Sequence, residues 1–370
     1  MKFGNKRVFV GMSGGVDSSV AAALLKKRGF DVVGIHLKCY NVDGCAAQDA
    51  EDARRAAETI GIPFYTFDFE KEYKEKVVEY MIDGYKKGIT PNPDVMCNKE
   101  IKFGLFYEKA IELGADFVAT GHYVLKIENC KLKIARDKNK DQSYFLWTLK
   151  PEQLAHCLFP IGDYTKPQVR KLAAKFGLHN AAKKDSQGIC FLGQVSLPDF
   201  LSRYIKPKKG LILLASKTSR LPAEALAKAG RAQIIGHHNG AQFYTIGQRH
   251  GLNIGGFKQP LYVVDKNIKK NTITVAEGEN NPALYKKEIK LTDVNLINPK
   301  FKIENLKLKI PVLARVRYRQ PLVPASFIIH NSLFTIQFKE PVKFVAEGQS
   351  AVFYDKKGVM LGGGVIKSAK

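Results

Sequence analysis

Short apolar runs alternate with longer stretches of helical periodicity through the first third of the chain. The runs are rich in β-branched and aromatic residues, which is typical of buried strands, and the stretches between them are amphipathic. We predict strands at Val8–Val10, Val32–Leu37, Phe64–Phe67 and Phe117–Thr120, and helices at Ala21–Lys27, Asp49–Ile60, Glu70–Lys87 and Lys99–Leu113. This alternation predicts an α/β fold with a doubly wound, Rossmann-like parallel sheet.

The pattern changes near Lys206, where short strands separated by Gly, Asn and Asp turns replace the helical periods. We therefore predict three domains: a catalytic domain with a helical extension at 1–205, a β-rich connector at 206–278 and an antiparallel β-barrel at 279–370. Lysines and alanines dominate 216–230, which we interpret as a surface insertion. The predicted barrel strands are Val312–Tyr318, Ser326–His330, Phe334–Phe338, Ala351–Tyr354 and Met360–Ile366, and the connector has a hairpin of Tyr262–Asp265 with Thr272–Ala276.

Charge narrows the class of partner. The chain of 370 residues carries 59 basic and 35 acidic side chains, a net charge of +24. Such an excess favours a polyanionic partner, either nucleic acid or an anionic membrane. No apolar run approaches the ~20 residues of a membrane span, and the first strand begins by residue 8 without room for a signal peptide, so we expect a cytoplasmic protein that does not bind membranes. The six cysteines lack Cys-x-x-Cys spacing, which favours buried or reactive thiols over structural zinc.

A glycine-rich turn between the first strand and the first helix is the strongest chemical signal. Ser13, Gly14 and Gly15 leave backbone N–H groups unobstructed at the positive end of a helix, and this arrangement binds phosphate. The Gly-Lys-Ser/Thr ending of a P-loop and the Gly-x-Gly-x-x-Gly of a dinucleotide fold are both missing. Ligands of such sheets bind at the carboxyl ends of the strands, so we expect a nucleotide site formed by Gly11, Met12, Ser13, Gly14, Gly15, Val16, Asp17, Ser18, Leu37 and Gly121, with His122 beside it.

Two cysteines lie in settings that favour the thiolate form. Cys97 follows a loop with two prolines and precedes a helix predicted to begin near Lys99, and Asp94 is close enough in sequence to exchange protons with a bound base. Cys190 follows a glycine turn with Lys183 and Lys184 nearby. In the predicted barrel, arginine occurs at every second position of residues 314–319, which places three arginines on one face of a strand. Such a face could contact phosphates, or it could simply be exposed to solvent.

Several motifs occur together in one order: Ser-Gly-Gly-Val-Asp-Ser at 13–18, Pro-Asn-Pro-Asp-x-x-Cys-Asn at 91–98, Gly-His-Tyr at 121–123, Lys-Asp-Gln-Ser-Tyr-Phe-Leu at 140–146 and Asp-Ser-Gln-Gly-Ile-Cys-Phe at 185–191. Phe-Tyr-Thr-Ile-Gly-Gln-Arg at 243–249 and Leu-Tyr-Val-Val at 261–264 follow. Along nearly the whole chain this set resembles the tRNA 2-thiouridylases, a family of pyrophosphate-loop ATPases.

The resemblance implies a reaction and a set of roles. ATP with Mg²⁺ would adenylate the 2-carbonyl oxygen of a wobble uridine, in the tRNAs for Lys, Glu and Gln. Cys190 would carry persulfide sulfur from a cysteine desulfurase or a sulfur-relay protein, Cys97 would attack that persulfide and leave a Cys97–Cys190 disulfide, and Asp94 would act as general acid or base. Implied contacts with the target base are Asn92, Pro93, Asp94 and His122, and implied contacts with tRNA are Lys140, Asp141, Gln142, Arg317, Tyr318 and Gln349.

Three alternatives stay open at this stage. An iron–sulfur cluster on Cys97 and Cys190, with Asp94 as an unusual third ligand, could carry the sulfur instead. Another pyrophosphate-loop ligase, resembling argininosuccinate or NAD synthetases, would need neither the thiol pair nor the basic barrel. A non-catalytic RNA-binding protein could keep the same fold. Cys39 and Cys45 receive no role from any motif.

Overall fold

The computed structural model describes residues 6–42, 46–184, 188–189, 191–193, 195–215, 233–297 and 308–370. Within them the chain forms a five-stranded sheet with flanking helices, a four-stranded sheet and a closed barrel of six strands. We call these parts the N-terminal domain, the middle domain and the barrel. A short antiparallel hairpin of β5 (Leu125–Ile127) with β6 (Lys131–Lys133) also belongs to the N-terminal domain.

The N-terminal sheet is parallel in every pairing, as the alternation of strands and helices predicts. Its order is β3-β2-β1-β4-β7. The fifth strand, β7, was missed by the sequence analysis because it is only two residues long. The bounds are β1 Arg7–Gly11, β2 Asp31–Lys38, β3 Phe64–Asp68, β4 Phe117–Ala119 and β7 Cys157–Leu158.

Two helices, α1 (Val16–Lys27) and α2 (Ala46–Ile60), pack with the later helix Lys166–Lys175 on one face of this sheet. Small residues fill the contact: Ala21, Ala22, Ala53 and Ala57 are fully buried. Small side chains let the helix backbones approach closely, which brings the N-terminus of α1 and the start of α2 to the same edge of the sheet. The other helical segments are 70–86, 93–112, Pro151–Ala155 and Leu197–Ser202, with 3₁₀ turns at Ser143–Phe145, Ala241–Phe243 and Pro282–Leu284.

The helix predicted to begin near Lys99 begins at Pro93 instead. Proline suits the first helical position because its missing N–H would have no partner there, and Asn92 accepts a hydrogen bond from Val95 N at 3.2 Å as the N-cap. Residues Cys97–Leu105 are π-helical, a conformation that occurs often at functional sites. Cys97 therefore lies inside the helix and not in a loop before it.

The middle domain has the strand order β10-β11-β8-β9, with β8 Gly210–Leu214, β9 Gln233–His238, β10 Leu261–Asn267 and β11 Thr272–Glu277. The predicted hairpin is confirmed, because β10 and β11 pair antiparallel. The segment 216–230 lies outside the described residues.

The predicted antiparallel barrel is confirmed, with the order β12-β15-β14-β13-β16-β17. Its first strand was missed, because charged residues interrupt the apolar positions Ile289 and Leu291 that face the core. The strands are β12 Tyr285–Leu296, β13 Leu308–Arg315, β14 Val323–His330, β15 Leu333–Lys343, β16 Ser350–Tyr354 and β17 Met360–Ala369. The predicted row of arginines is wrong: β13 ends at Arg315, and the chain then turns, with φ +65° at Arg319.

Trp147 fixes the barrel to the N-terminal domain. Its indole is 3% exposed and donates a hydrogen bond to Ser350 Oγ at 3.0 Å. Gly363 is required on the barrel side, because a Cβ there would lie 2.6 Å from the indole ring. Tyr144 adds a hydrogen bond to Ser350 O at 2.9 Å. Among the described residues, no helix is both long and apolar enough to cross a membrane.

Candidate active site

A cavity of about 980 Å³ lies at the carboxyl edge of the N-terminal sheet and extends to the barrel. The topology rule predicts this position for a nucleotide site. Residues that the sequence analysis selected form much of its wall: Gly11, Met12, Ser13, Gly15, Val16, Asp17, Ser18, Leu37, Asp94, Cys97, Gly121, His122, Lys140, Gln142 and Tyr318.

The phosphate loop, residues 13–18, is held in shape by its own atoms. Ser18 Oγ accepts a hydrogen bond from Ser13 N at 3.2 Å and donates one to Gly15 O at 3.1 Å. Gly14 has φ +71°, and a Cβ on it would lie 2.3 Å from the carbonyl oxygen of Asp49 at the start of α2. Only glycine fits this position, because both the conformation and the close approach exclude a side chain. Gly14 therefore faces α2, while its neighbours face the cavity.

Gly121 follows the end of β4 and packs directly against the start of α1. A Cβ on Gly121 would lie 2.6 Å from Ser18 N, which is a backbone contact that cannot move aside. The glycine is therefore a packing requirement of the phosphate loop as well as part of the cavity wall.

The carboxylate of Asp17 is held from two directions. Lys166 Nζ lies 2.8 Å from both of its oxygens, and Tyr123 donates a hydrogen bond to it at 2.8 Å. The Lys166 side chain is only 10% exposed, and the Asp17 carboxylate neutralises its charge, so the pair fixes the position of Asp17 in the phosphate loop. Lys166 was not among the predicted site residues. Nothing local could reveal its partner, which is 149 residues away.

The reactive segment, residues 91–97, contributes a second wall of the same cavity. Asp94 and Cys97 line the cavity, and Asn98, which was not among the predicted site residues, donates a hydrogen bond to Asp94 O at 2.9 Å. Asn92 and Pro93 are buried beneath this wall. Asn92 is used as the helix cap, so the geometry does not support its predicted contact with the target base.

His122 lies between the two walls. Burial lowers its pKa well below the ordinary value, and the charge of Lys102 acts in the same direction. Its Nδ1 lies 2.8 Å from Thr120 Oγ1, and its ring packs against Phe103 with centroids 6.0 Å apart. At neutral pH the imidazole is therefore uncharged and can only donate or accept a hydrogen bond.

Cys190 lies outside the described residues, as does Cys45. Its described neighbours Gly188, Ile189 and Phe191 line the same cavity. The segment before it is fastened to α2, since Lys183 Nζ lies 2.8 Å from Asp49 and 2.6 Å from Asp52. Cys39, which had no predicted role, also lines the cavity.

Among the barrel residues that were predicted to contact tRNA, Tyr318 reaches the cavity, where its ring packs on Phe145 with centroids 4.5 Å apart. Arg317 donates to Ile246 O of the middle domain at 2.6 Å, and Gln349 donates to Thr90 O at 3.0 Å. Both side chains bind protein backbone. The predicted contact through Asp141 is not supported either: it is 3% exposed and pairs with Arg315 at 2.5 Å.

Comparisons with known proteins match the whole chain. Three family profiles match in succession: tRNA methyl transferase HUP domain over 6–194, tRNA methyl transferase PRC-barrel domain over 198–277 and Aminomethyltransferase beta-barrel domain over 286–366. The tRNA-specific 2-thiouridylase MnmA of Karelsulcia muelleri is 44% identical and covers 99% of this chain and 100% of its own. MnmA 1 of Geobacillus kaustophilus is also 44% identical, over 98% of this chain and 95% of its own. The chain belongs to the tRNA-specific 2-thiouridylase family.

A solved 4-thiouridine synthetase–RNA complex with bound ATP is 18% identical with a TM-score of 0.37, covering 51% of this chain and 46% of that one. A likeness of that extent carries no argument about the site. In this member of the 2-thiouridylase family, the predicted phosphate loop and reactive segment line the same cavity, and their roles stay predictions. Lys166 and Asn98 were not among the predicted site residues. The predicted domain boundaries at 205/206 and 278/279 remain predictions.

Proposed function

We propose that this protein is a tRNA-uridine 2-sulfurtransferase that uses ATP to replace the 2-oxygen of a wobble uridine with sulfur. One observation carries the proposal beyond family membership: a single cavity has the phosphate loop on one wall and Asp94 and Cys97 on the other. A ligase that joins a small amine to an adenylated acid would need no thiol opposite its nucleotide.

The first step is adenylation. The backbone N–H groups of residues 13–18 and the N-terminus of α1 would hold the phosphates, with the Lys166–Asp17 pair holding the loop in position. The O2 atom of the uracil attacks the α-phosphorus, the bond to the bridging oxygen breaks and pyrophosphate leaves. The carbonyl oxygen, otherwise a poor leaving group, thereby becomes part of AMP.

Sulfur transfer follows at C2. The terminal sulfur of a persulfide on Cys190 adds to C2, the C2–O bond breaks and AMP leaves. Cys97 then attacks Sγ of Cys190, the S–S bond breaks toward the sulfur on C2, and a Cys97–Cys190 disulfide forms. A thiol reductant must reduce that disulfide, and a persulfide donor, either a cysteine desulfurase or a sulfur-relay protein, must recharge Cys190.

Asp94 is the proposed general acid or base, and neutral His122 the proposed hydrogen-bonding group for the flipped base. Tyr318 offers a ring for stacking, and Lys140 and Gln142 border the same cavity. The net charge of +24 suits a polyanionic partner, and the tRNAs for Lys, Glu and Gln are the proposed acceptors. A cytoplasmic location goes with this proposal.

Magnesium would arrive with ATP on the phosphate oxygens, and it is not assigned to Asp17, because Lys166 pairs with both oxygens of that carboxylate. An iron–sulfur cluster fits less well. Such clusters are usually held by four thiolates, and this alternative offers only Cys97 and Cys190 with Asp94 as an unusual third ligand. We therefore assign no step to a cluster.

The test is anaerobic thiolation of a wobble-uridine transcript by purified protein with ATP, Mg²⁺ and a cysteine desulfurase. A transcript with cytidine at the wobble position is the matched control. We expect 2-thiouridine, AMP and pyrophosphate in equal amounts from cluster-free protein. Product only after cluster reconstitution would assign the sulfur to a cluster, and tRNA binding without product from either preparation would indicate a non-catalytic RNA-binding protein.

A further inference from the structure

A turn of the barrel, residues 347–349, contacts the backbone just ahead of the reactive segment. Thr90 N donates to Glu347 O at 2.8 Å, and Gln349 Nε2 donates to Thr90 O at 3.0 Å and to Pro91 O at 3.1 Å. Thr90 is 6% exposed, so its polar groups need partners within the protein. The barrel therefore supplies hydrogen bonds to the chain that leads into Asp94 and Cys97.

The turn is shaped for this contact. Gly348 has φ +87°, and a Cβ on it would lie 2.9 Å from Thr90 O and 3.1 Å from Thr90 N. Thr90 also touches the middle domain, where its Oγ1 lies 3.2 Å from Thr245 Oγ1. All three parts of the protein thus meet at the residue that precedes the reactive segment.

We propose that Gln349 is a positioning residue: it fixes the reactive segment, and with it Cys97 and Asp94, to the barrel. The inference rests on the proposed function and assigns Gln349 a role different from the tRNA contact that the family resemblance implies. Through this turn, a tRNA bound to the barrel would be held at a fixed position relative to Asp94 and Cys97.

The chemistry of the amide supports the positioning role. A glutamine amide has two N–H donors, and here two backbone carbonyl groups accept from Nε2. The remaining polar atom, Oε1, is an acceptor, and an acceptor has no attraction for a phosphate oxygen. A contact with a phosphate of the tRNA would require Gln349 to leave the two carbonyl groups, whereas Oε1 stays able to accept a hydrogen bond from a ribose 2′-hydroxyl.

The experiment replaces Gln349 with Met, which has a similar length and no donor. Gln320→Met is the matched control, because Gln320 donates to Lys343 O within the barrel at 3.1 Å. For Gln349→Met we expect thiolation kcat to fall about tenfold while KM and Kd for tRNA change less than about twofold. Backbone amides in residues 90–97 should also exchange hydrogen faster than in wild type, and Gln320→Met should show neither change.

A rise in Kd for tRNA with kcat unchanged would overturn the proposal and make Gln349 a tRNA contact. Unchanged exchange over residues 90–97 would also overturn it. If wild-type protein makes no 2-thiouridine, the proposed function fails, and hydrogen exchange alone still decides the role of Gln349. If Gln349→Met does not fold, Gln349→Leu provides the same comparison, because leucine is uncharged, similar in size and has no donor.

Discussion

The two walls of the cavity are held in place by different means. The phosphate loop depends on contacts within the N-terminal domain: Ser13 with Ser18, and Gly14 against Asp49. The reactive segment follows Thr90, which is bonded to both the middle domain and the barrel. The phosphate loop therefore needs only the N-terminal domain to keep its shape. The reactive segment needs all three parts of the protein to be assembled.

This difference separates the two halves of the proposed reaction. Damage to the barrel or to its attachment should leave nucleotide binding intact and impair sulfur transfer. Damage to the phosphate loop should weaken nucleotide binding, and adenylation with it, without changing how the reactive segment is held. The following predictions test this separation.

Cys97→Ser should produce the largest effect. We expect thiolation to fall by roughly three orders of magnitude or more, since the oxygen of serine is a poor nucleophile toward a persulfide, while affinity for ATP stays within about twofold. Single-turnover thiolation and equilibrium nucleotide binding measure the two quantities. Cys130→Ser, in the β5–β6 hairpin, is the control and should retain activity; a Cys97→Ser enzyme with normal turnover would remove Cys97 from the mechanism.

Asp141→Asn tests the attachment of the barrel. The change leaves the buried Arg315 without its carboxylate, and we expect a loss of about 3 kcal/mol in the free energy of unfolding. Urea denaturation measures it. Glu51→Gln, which breaks an exposed pair with Arg54, is the control and should leave the midpoint of urea denaturation unchanged. If stability is kept and only tRNA affinity falls, the implied role of Asp141 as a tRNA contact is correct after all.

Gly14→Ala and Gly348→Ala form a matched pair, one for each wall. Both positions have positive φ and close backbone neighbours, so each substitution introduces strain of about 1–3 kcal/mol. We expect Gly14→Ala to raise KM for ATP about tenfold, and Gly348→Ala to lower thiolation kcat about tenfold with KM for ATP unchanged.

Gly114→Ala is the control for this pair. It also has positive φ, at +82°, but no atom lies within 4 Å of the added Cβ. It should lower stability slightly and change neither kinetic parameter. Equal effects of Gly14→Ala and Gly348→Ala on both parameters would show that the walls are not separable.

Lys266, at the contact of the middle domain with the barrel, should give the smallest effect. Burial lowers its pKa to about 8, with Glu347 acting in the opposite direction. The ordinary pKa of lysine is ~10.4, so between pH 8 and that value the unfolded chain binds more protons than the folded chain, and this group adds stability as pH rises. Urea denaturation at pH 7.5 and 9.5 should show wild type gaining up to about 1 kcal/mol relative to Lys266→Met; a difference that is independent of pH would contradict the assignment.

The same contrast explains what the sequence could predict. The phosphate loop is a local strand–turn–helix pattern, and the topology of a parallel sheet brings Leu37 and Gly121 to it, so the sequence identified this wall. The start of the helix at Pro93 was missed because two prolines favour an extended loop, and only the cap by Asn92 makes proline suitable at the first helical position.

Partners distant in sequence could not be predicted in this way. Lys166 is an ordinary helix-start lysine until the fold places it beside Asp17. The arginines near 315–319 alternate as on a strand, yet Arg315 faces a buried carboxylate and Arg317 a backbone carbonyl of the middle domain. Alternation describes a local period, and it contains no information about where a strand ends or what packs against it.

The packing of the barrel against Trp147 has a practical consequence. This residue is the single tryptophan of the chain, and its indole is buried where the two parts meet. Indole emission shifts to longer wavelength when water reaches the ring, so the unlabelled protein carries an optical reporter of barrel detachment. Stopped-flow fluorescence could therefore test whether the barrel separates from the N-terminal domain when tRNA binds, without introducing a dye.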